Sequence, residues 1–247
     1  MSRQIVNLLA ILATIVVNFL ANFLPLNGLT TGEISGRFAV YFTPAGYVFS
    51  IWGVIYLWLL AYAIYQLAPA RRNDEYLQRI GWLFAYSCAA NVAWLFLWHY
   101  LLFPLTVPVM LALLLLLIAI YLRLDRGRSA VSPATKWAVQ IPFSIYLAWI
   151  SVATIANVTV LLDYWNWSGW GVPGEAWFVV MLATGLAIAF AAAHPRRDIA
   201  YAAVIAWAYL GIAVKNTAPA LVAIAGWAAA ALAALLLLAV ILRKRPV

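Results

Sequence analysis

Of 247 residues, 68% are hydrophobic and only 9% are charged, against roughly 25% charged in an ordinary soluble domain. So few ionisable groups cannot clothe a soluble fold of this length, which excludes the soluble globular classes. The formal charge of +8 does not indicate nucleic acid, because the basic residues sit in short clusters between apolar runs, a pattern that orients membrane proteins.

A spanning helix needs about 20 mostly apolar residues. Eight stretches qualify, in order 5–25, 46–68, 79–101, 105–123, 136–162, 175–194, 198–215 and 218–242. The expected fold is therefore an all-α, polytopic membrane protein, since backbone in lipid has no water to bond and must satisfy itself. Breaks are expected at Pro25 with Gly28, Pro69 before Arg71 and Arg72, Pro104, Gly127 with Pro133, Pro173 with Gly174, Pro195, and Pro219. The first stretch carries Asn18 and Asn22 late in its run and lacks a small-residue cleavage site, so it is read as a retained helix.

With a cytoplasmic N-terminus, the inner segments hold Arg3, Arg71, Arg72, Arg79, Arg123, Arg126, Arg128, Lys136, Arg196, Arg197, Arg243, Lys244 and Arg245. Of the 15 basic residues only Arg37 and Lys215 fall outside. This alternation predicts eight spans with both termini cytoplasmic; the expected location is a bacterial cytoplasmic membrane. Outside, Tyr164, Trp165, Trp167, Trp170 and Trp177 read as an interfacial aromatic belt.

All seven carboxylates (Glu33, Asp74, Glu75, Asp125, Asp163, Glu175, Asp198) map to loops or span ends, which disfavours an ion-driven pump. The polar groups at membrane depth are neutral: Asn18, Asn22, Ser87, Asn91, Gln140, Ser151, Thr154 and Asn157, residues that commonly bond across helices. The single cysteine, Cys88, excludes an intrachain disulfide. His99 and His194 fall at opposite faces, too far apart to share a haem. Lys215 sits at the water boundary with no buried counter-ion for a retinal Schiff base. Cholesterol-type patterns at Leu60–Tyr65–Arg71 and Leu117–Tyr121–Arg123 arise readily by chance in so apolar a chain.

Tryptophan is over-represented, at 13 residues. Belts account for those near span ends but not for Trp52, Trp94 and Trp149, well inside the second, third and fifth spans, where Asn91 and Asn157 are the expected indole partners. Thr-Pro-Ala-Gly-Tyr-Val-Phe-Ser-Ile-Trp-Gly-Val-Ile-Tyr at 43–56 resembles the Pro-Pro-x-Trp-Val-Phe-Gly-Pro-Val-Trp-x-x-Leu-Tyr signature of the TspO/MBR family, the tryptophan-rich sensory or translocator proteins. Asn91-Val-Ala-Trp94 is similar to that family's third-helix Asn-Leu-x-Trp. Tyr146, Trp149, Ser151, Ala153, Thr154 and Asn157 match its fifth-helix motif without gaps. The interval from Phe49 to Trp52 is one residue shorter than in the family, and Ile145 stands where a proline is usual. Because that family has about five spans, the resemblance covers residues 1–163 and leaves 164–247 as a three-helix extension, read as a packing or oligomer surface that admits a homodimer. Within it Gly226, Ala230 and Ala234 recur at four-residue spacing.

The resemblance implies a five-helix bundle with a pocket towards the outer leaflet and the loop at about 26–45 as its lid. Carried over by position, the pocket comprises Tyr47, Phe49, Trp52, Tyr56, Asn91, Trp94, Trp98, Tyr146, Trp149, Ala153 and Asn157. Family members bind porphyrins, and some bind sterols. The expected function is binding of a planar apolar ligand, a tetrapyrrole first, for sensing, sequestration or transport, with no cofactor required and porphyrin or haem as guest. Alternatives are passive export of apolar metabolites and light-dependent porphyrin breakdown. No acid–base pair or metal site is visible to support ordinary catalysis. The expected partners are the bilayer and the apolar ligand, not nucleic acid.

Overall fold

The computed structural model describes residues 2–24, 26–124 and 131–243. Pro25, Asp125, Arg126, Gly127, Arg128, Lys244 and Arg245, which entered the reading of breaks, carboxylates and orientation, lie outside the described residues. Eight long helices follow one another: α1 (Ser2–Phe23), α2 (Ile51–Tyr65), α3 (Leu83–His99), α4 (Phe103–Arg123), α5 (Ile141–Tyr164), α6 (Gly174–Arg196), α7 (Ile199–Lys215) and α8 (Ala220–Leu242). Among the described residues there is no strand.

Six are long and apolar enough to cross a bilayer: α1, α2 with its 3-10 lead-in from Gly46, α4, α5 with the turns before it from Pro133, α6 and α8. The helices α3 and α7 have 17 residues each, about 25 Å at 1.5 Å per residue and short of a hydrocarbon core of about 30 Å. The chain is thus an all-α polytopic membrane protein with six helices of full spanning length among the described residues, where eight stretches were expected. Outward apolar residues such as Leu9, Val16, Leu57, Leu115 and Leu235 stay exposed, as lipid-facing surface requires and a water-facing one would not tolerate in such quantity.

The helix ends follow local chemistry. Pro104 lies in the first turn of α4, where a missing N–H costs nothing. Pro195 does not break the chain as expected; it sits in the last turn of α6, which ends at left-handed Arg197, with Asp198 N donating to Ala193 O at 2.9 Å. The third helix starts at 83 and not 79 because Asp74 caps a separate short helix, Glu75–Ile80, that stops at Gly81.

Packing centres on α5. Half of its most apolar window is buried, against a third or less in the other spans, because α2, α4, α6 and α7 all lie on it. In turn α3 packs on α1 and α4, while α8 packs on α6 and α7. The buried stripe of α8 is Gly226, Ala229, Ala230 and Ala233, whose small side chains let it approach Ala213 of α7 closely. Ala234, expected in that stripe, is exposed because a four-residue step overshoots the 3.6-residue turn.

Asp198 lies at a helix start, as expected, yet its exposure is 0%. Its Oδ2 accepts from Ser144 Oγ at 2.6 Å and Tyr121 Oη at 2.9 Å, and Oδ1 accepts from Tyr201 N at 3.0 Å, capping α7. One carboxylate thereby ties α4, α5 and α7. Loss of a cap and of charge-assisted bonds costs about 2–3 kcal/mol. Asp198→Ala is expected to lower the unfolding free energy measured by detergent titration by that amount, and Asp198→Asn, which keeps the cap, by about half of it.

Candidate ligand-binding site

The fifth helix presents Trp149, Ala153 and Asn157 at successive four-residue steps, hence on one face. Trp94 and Trp98 stand one turn apart on α3, with rings stacked at 5.2 Å and 22°. Phe49 precedes α2 and Trp52 lies in its first turn; both meet Trp149 edge-on, at 5.8 and 6.0 Å. These seven residues line one cavity of about 40 Å³, together with Thr31, Ser35, Thr43, Pro44, Val152, Ala156 and Val160. No charged side chain is among the lining residues.

Neutral hydrogen bonds orient the walls. Trp94 Nε1 donates to Asn157 Oδ1 at 3.0 Å, and Asn157 Nδ2 donates to Thr106 Oγ1 at 2.8 Å. Trp98 Nε1 donates to Thr31 O at 3.2 Å. Trp149 is buried, and its indole N–H has no partner among the described residues. An unmet buried donor costs about 1–3 kcal/mol, which a guest offering an acceptor would recover.

Four of the sequence-predicted pocket residues stand outside the cavity. Tyr47 is exposed and meets Trp207 edge-on at 5.5 Å. Tyr56 stacks on Trp52 at 5.3 Å, one turn further along α2. Asn91 does not serve an indole: it accepts from Asn18 Nδ2 and donates to Tyr146 Oη, each at 3.0 Å. Tyr146 in turn packs beside Trp52 at 6.2 Å. These groups brace the lining from behind. The lining residues that motif matching missed are of two kinds. Val152, Ala156 and Val160 continue the α5 stripe and were readable from helical spacing, whereas Thr31, Ser35, Thr43 and Pro44 come from the loop, where no periodicity signals orientation.

That loop carries a short helix, Thr31–Gly36, capped by a reciprocal pair: Thr30 Oγ1 accepts from Glu33 N at 3.2 Å, and Glu33 Oε2 accepts from Thr30 N at 2.7 Å. Two helices hold the loop down. From α3, buried His99 places Nδ1 3.1 Å from Leu26 O and Nε2 3.0 Å from Thr31 Oγ1. A carbonyl only accepts, so Nδ1 carries a proton and donates to Leu26 O. From α7, Trp207 Nε1 donates to Val48 O at 3.2 Å and Asn216 Nδ2 to Tyr41 O at 2.9 Å. Lys215 donates to Thr43 Oγ1, and Gly211 O accepts from Ala45 N at 3.1 Å.

Together these features define a class, the helical membrane proteins that wall an indole-lined cleft between spans and cover it with an extramembrane loop. A family model described as TSPO-like protein matches residues 4–242, and the chain belongs to that family. The match runs through α8, past residue 163, where the motif resemblance stops. No curated protein and no solved structure matches the chain.

Two outcomes follow for the loop. A Cβ on Gly211 would overlap Val48, whereas nothing lies near Gly53; Gly211→Ala is therefore expected to speed amide exchange over residues 43–50 at least tenfold, and Gly53→Ala to leave it unchanged. The bonds from Thr30, backbone first, hold the Glu33 carboxyl below its ordinary 4.5. A depressed acid stabilises above its unfolded value and stops doing so as pH falls through the folded one. The Thr31–Gly36 helix should thus fray on acidification below pH about 4.5, and Glu33→Ala should show that fraying at neutral pH by amide exchange.

Proposed function

We propose that the protein binds a planar, apolar ligand of the tetrapyrrole type between α2, α3 and α5, and does so to sense, sequester or pass that ligand across the membrane. The observation carrying this reading is that Trp52, Trp94 and Trp149, from three helices, face one uncharged cavity. Flat π-systems stack against indoles, and a few neutral hydrogen-bonding groups suit a disc with polar edges. Ala153 and Ala156 keep the α5 wall low between Trp149 and Asn157, and the Trp149 N–H is available to a guest's edge. Membership of the TSPO-like family supports the same reading.

The cleft is closed at about 40 Å³, against roughly 300–1,000 Å³ for occupied small-molecule pockets. Entry therefore requires residues 31–44 to lift, breaking the His99 and α7 contacts. The orientation that fits is cytoplasmic termini with the cleft towards the outer leaflet, in a bacterial cytoplasmic membrane. Arg79 and Arg123 exchange main-chain bonds at one end of the bundle, and Lys215 braces the loop at the other. No resident cofactor is proposed; porphyrin or haem is the guest.

Titration of the purified protein with protoporphyrin IX should quench tryptophan fluorescence saturably. Trp149→Ala, and Ala153→Phe, which fills the cleft, should each weaken the apparent affinity at least tenfold, while Trp227→Phe on the lipid face of α8 should not. Superimposable curves for the two cleft variants and the parent protein would remove the proposed site.

A further inference from the structure

A larger cavity, about 270 Å³, lies beside the indole cleft. It is an open pocket bordered by the end of α5, the loop 164–173, the start of α6 and residues 39–42, and it shares no lining residue with the cleft. The indoles of Trp167 and Trp177 form part of its wall; with Trp170 they make a mutually touching trio at 5.2, 5.2 and 5.9 Å. A plain interfacial belt would leave these rings to lipid, but only Trp170 is mostly exposed, at 79%. The loop is built to hold them: Trp177 Nε1 donates to Gly169 O at 3.0 Å, and Gly169 combines φ 66° with so close an approach to Trp177 that a Cβ would crowd it. Trp170 itself is held at φ 55°, an uncommon conformation for a bulky residue.

The apolar part of the cavity is Tyr41, Phe178 and Met181, with Tyr41 and Phe178 5.8 Å apart. Asp163 is the only acidic or basic side chain in the lining. Among the described residues its carboxylate has no ion-pair or hydrogen-bond partner. Asp163 stands exposed at the cavity rim, where a carboxylate repels anions and attracts cations. A cation satisfies it and is also attracted to the faces of tryptophan rings.

We propose that this cavity is a second binding site, for an amphipathic organic cation. The ammonium group rests against Asp163 and the Trp167 and Trp177 rings, and the apolar remainder packs on Tyr41, Phe178 and Met181. Two sources share this chemistry, the quaternary headgroup of a zwitterionic phospholipid and a free lipophilic amine.

The test uses the full chain in phosphatidylglycerol nanodiscs, titrated calorimetrically with benzyltrimethylammonium. Saturable binding is expected, weakened at least fivefold by Asp163→Asn and largely restored by Asp163→Glu, with no competition from the uncharged isostere neopentylbenzene. Equal affinity in Asp163→Asn, or equal competition by neopentylbenzene, overturns the proposal. Replacing half the lipid by phosphatidylcholine assigns the source: a fivefold fall in apparent affinity marks the headgroup as occupant, and an unchanged value marks the free amine. Protoporphyrin quenching should be unaffected by Asp163→Asn, so failure of the cleft would not be mistaken for failure of this site.

Discussion

Irregular backbone beside a bilayer is tolerated only where its N–H and C=O groups find partners within the protein, and this constraint organises the molecule. The long connection between α1 and α2 is the one substantial irregular stretch in contact with the cleft. Its carbonyls at Leu26, Thr31, Tyr41 and Val48 and its amide at Ala45 are met by His99, Trp98, Asn216, Trp207 and Gly211 in turn. Two of those partners come from α3 and three from α7 and its C-terminal cap. The loop thus owes its shape to α3 and α7 together, and α7 completes the hydrogen bonding that α3 begins.

The position of α5 supplies the second element. Buried by four neighbouring helices, it has one face left for a cavity, and on that face large rings alternate with alanine and valine. Trp149, Ala153 and Asn157 would pack solidly if Ala153 were large. With a methyl there, the rings of Trp52, Phe49 and Trp149 meet edge to edge without closing the space between them. Behind this wall the Asn18–Asn91–Tyr146 chain pairs its own polar groups, while among the cavity-lining side chains the Trp149 N–H stays without a partner.

Much of this was legible in the chain. Hydropathy located every long helix to within a few residues, because a run of about 20 apolar residues has no other stable use. Helical spacing put Trp149, Ala153 and Asn157 on one face of α5 and the motif resemblance added Trp94 and Trp98; all five line the same cavity. Rotation between helices and loop path are not legible from sequence: Tyr47, in the 3-10 turn before α2, and Tyr56, on α2, stand outside the cavity lining, and Thr31, Ser35, Thr43 and Pro44 enter it from a segment with no period to read. Asp198 was placed at a helix end, yet nothing local reveals that Tyr121 and Ser144, tens of residues away, converge to bury it. Trp167 and Trp177 look like membrane anchors by composition; only the fold of the 164–173 loop turns them inward.

The strip of chain at residues 39–44 is a partition common to two rooms. Phe42 faces one and Thr43, the next residue, faces the other. A wall one residue thick cannot move on one side alone, so whatever displaces it in either room alters the dimensions of its neighbour. Should both rooms take a guest, thermodynamic linkage makes the effect mutual: the free energy by which one helps or hinders the other is the same read from either side.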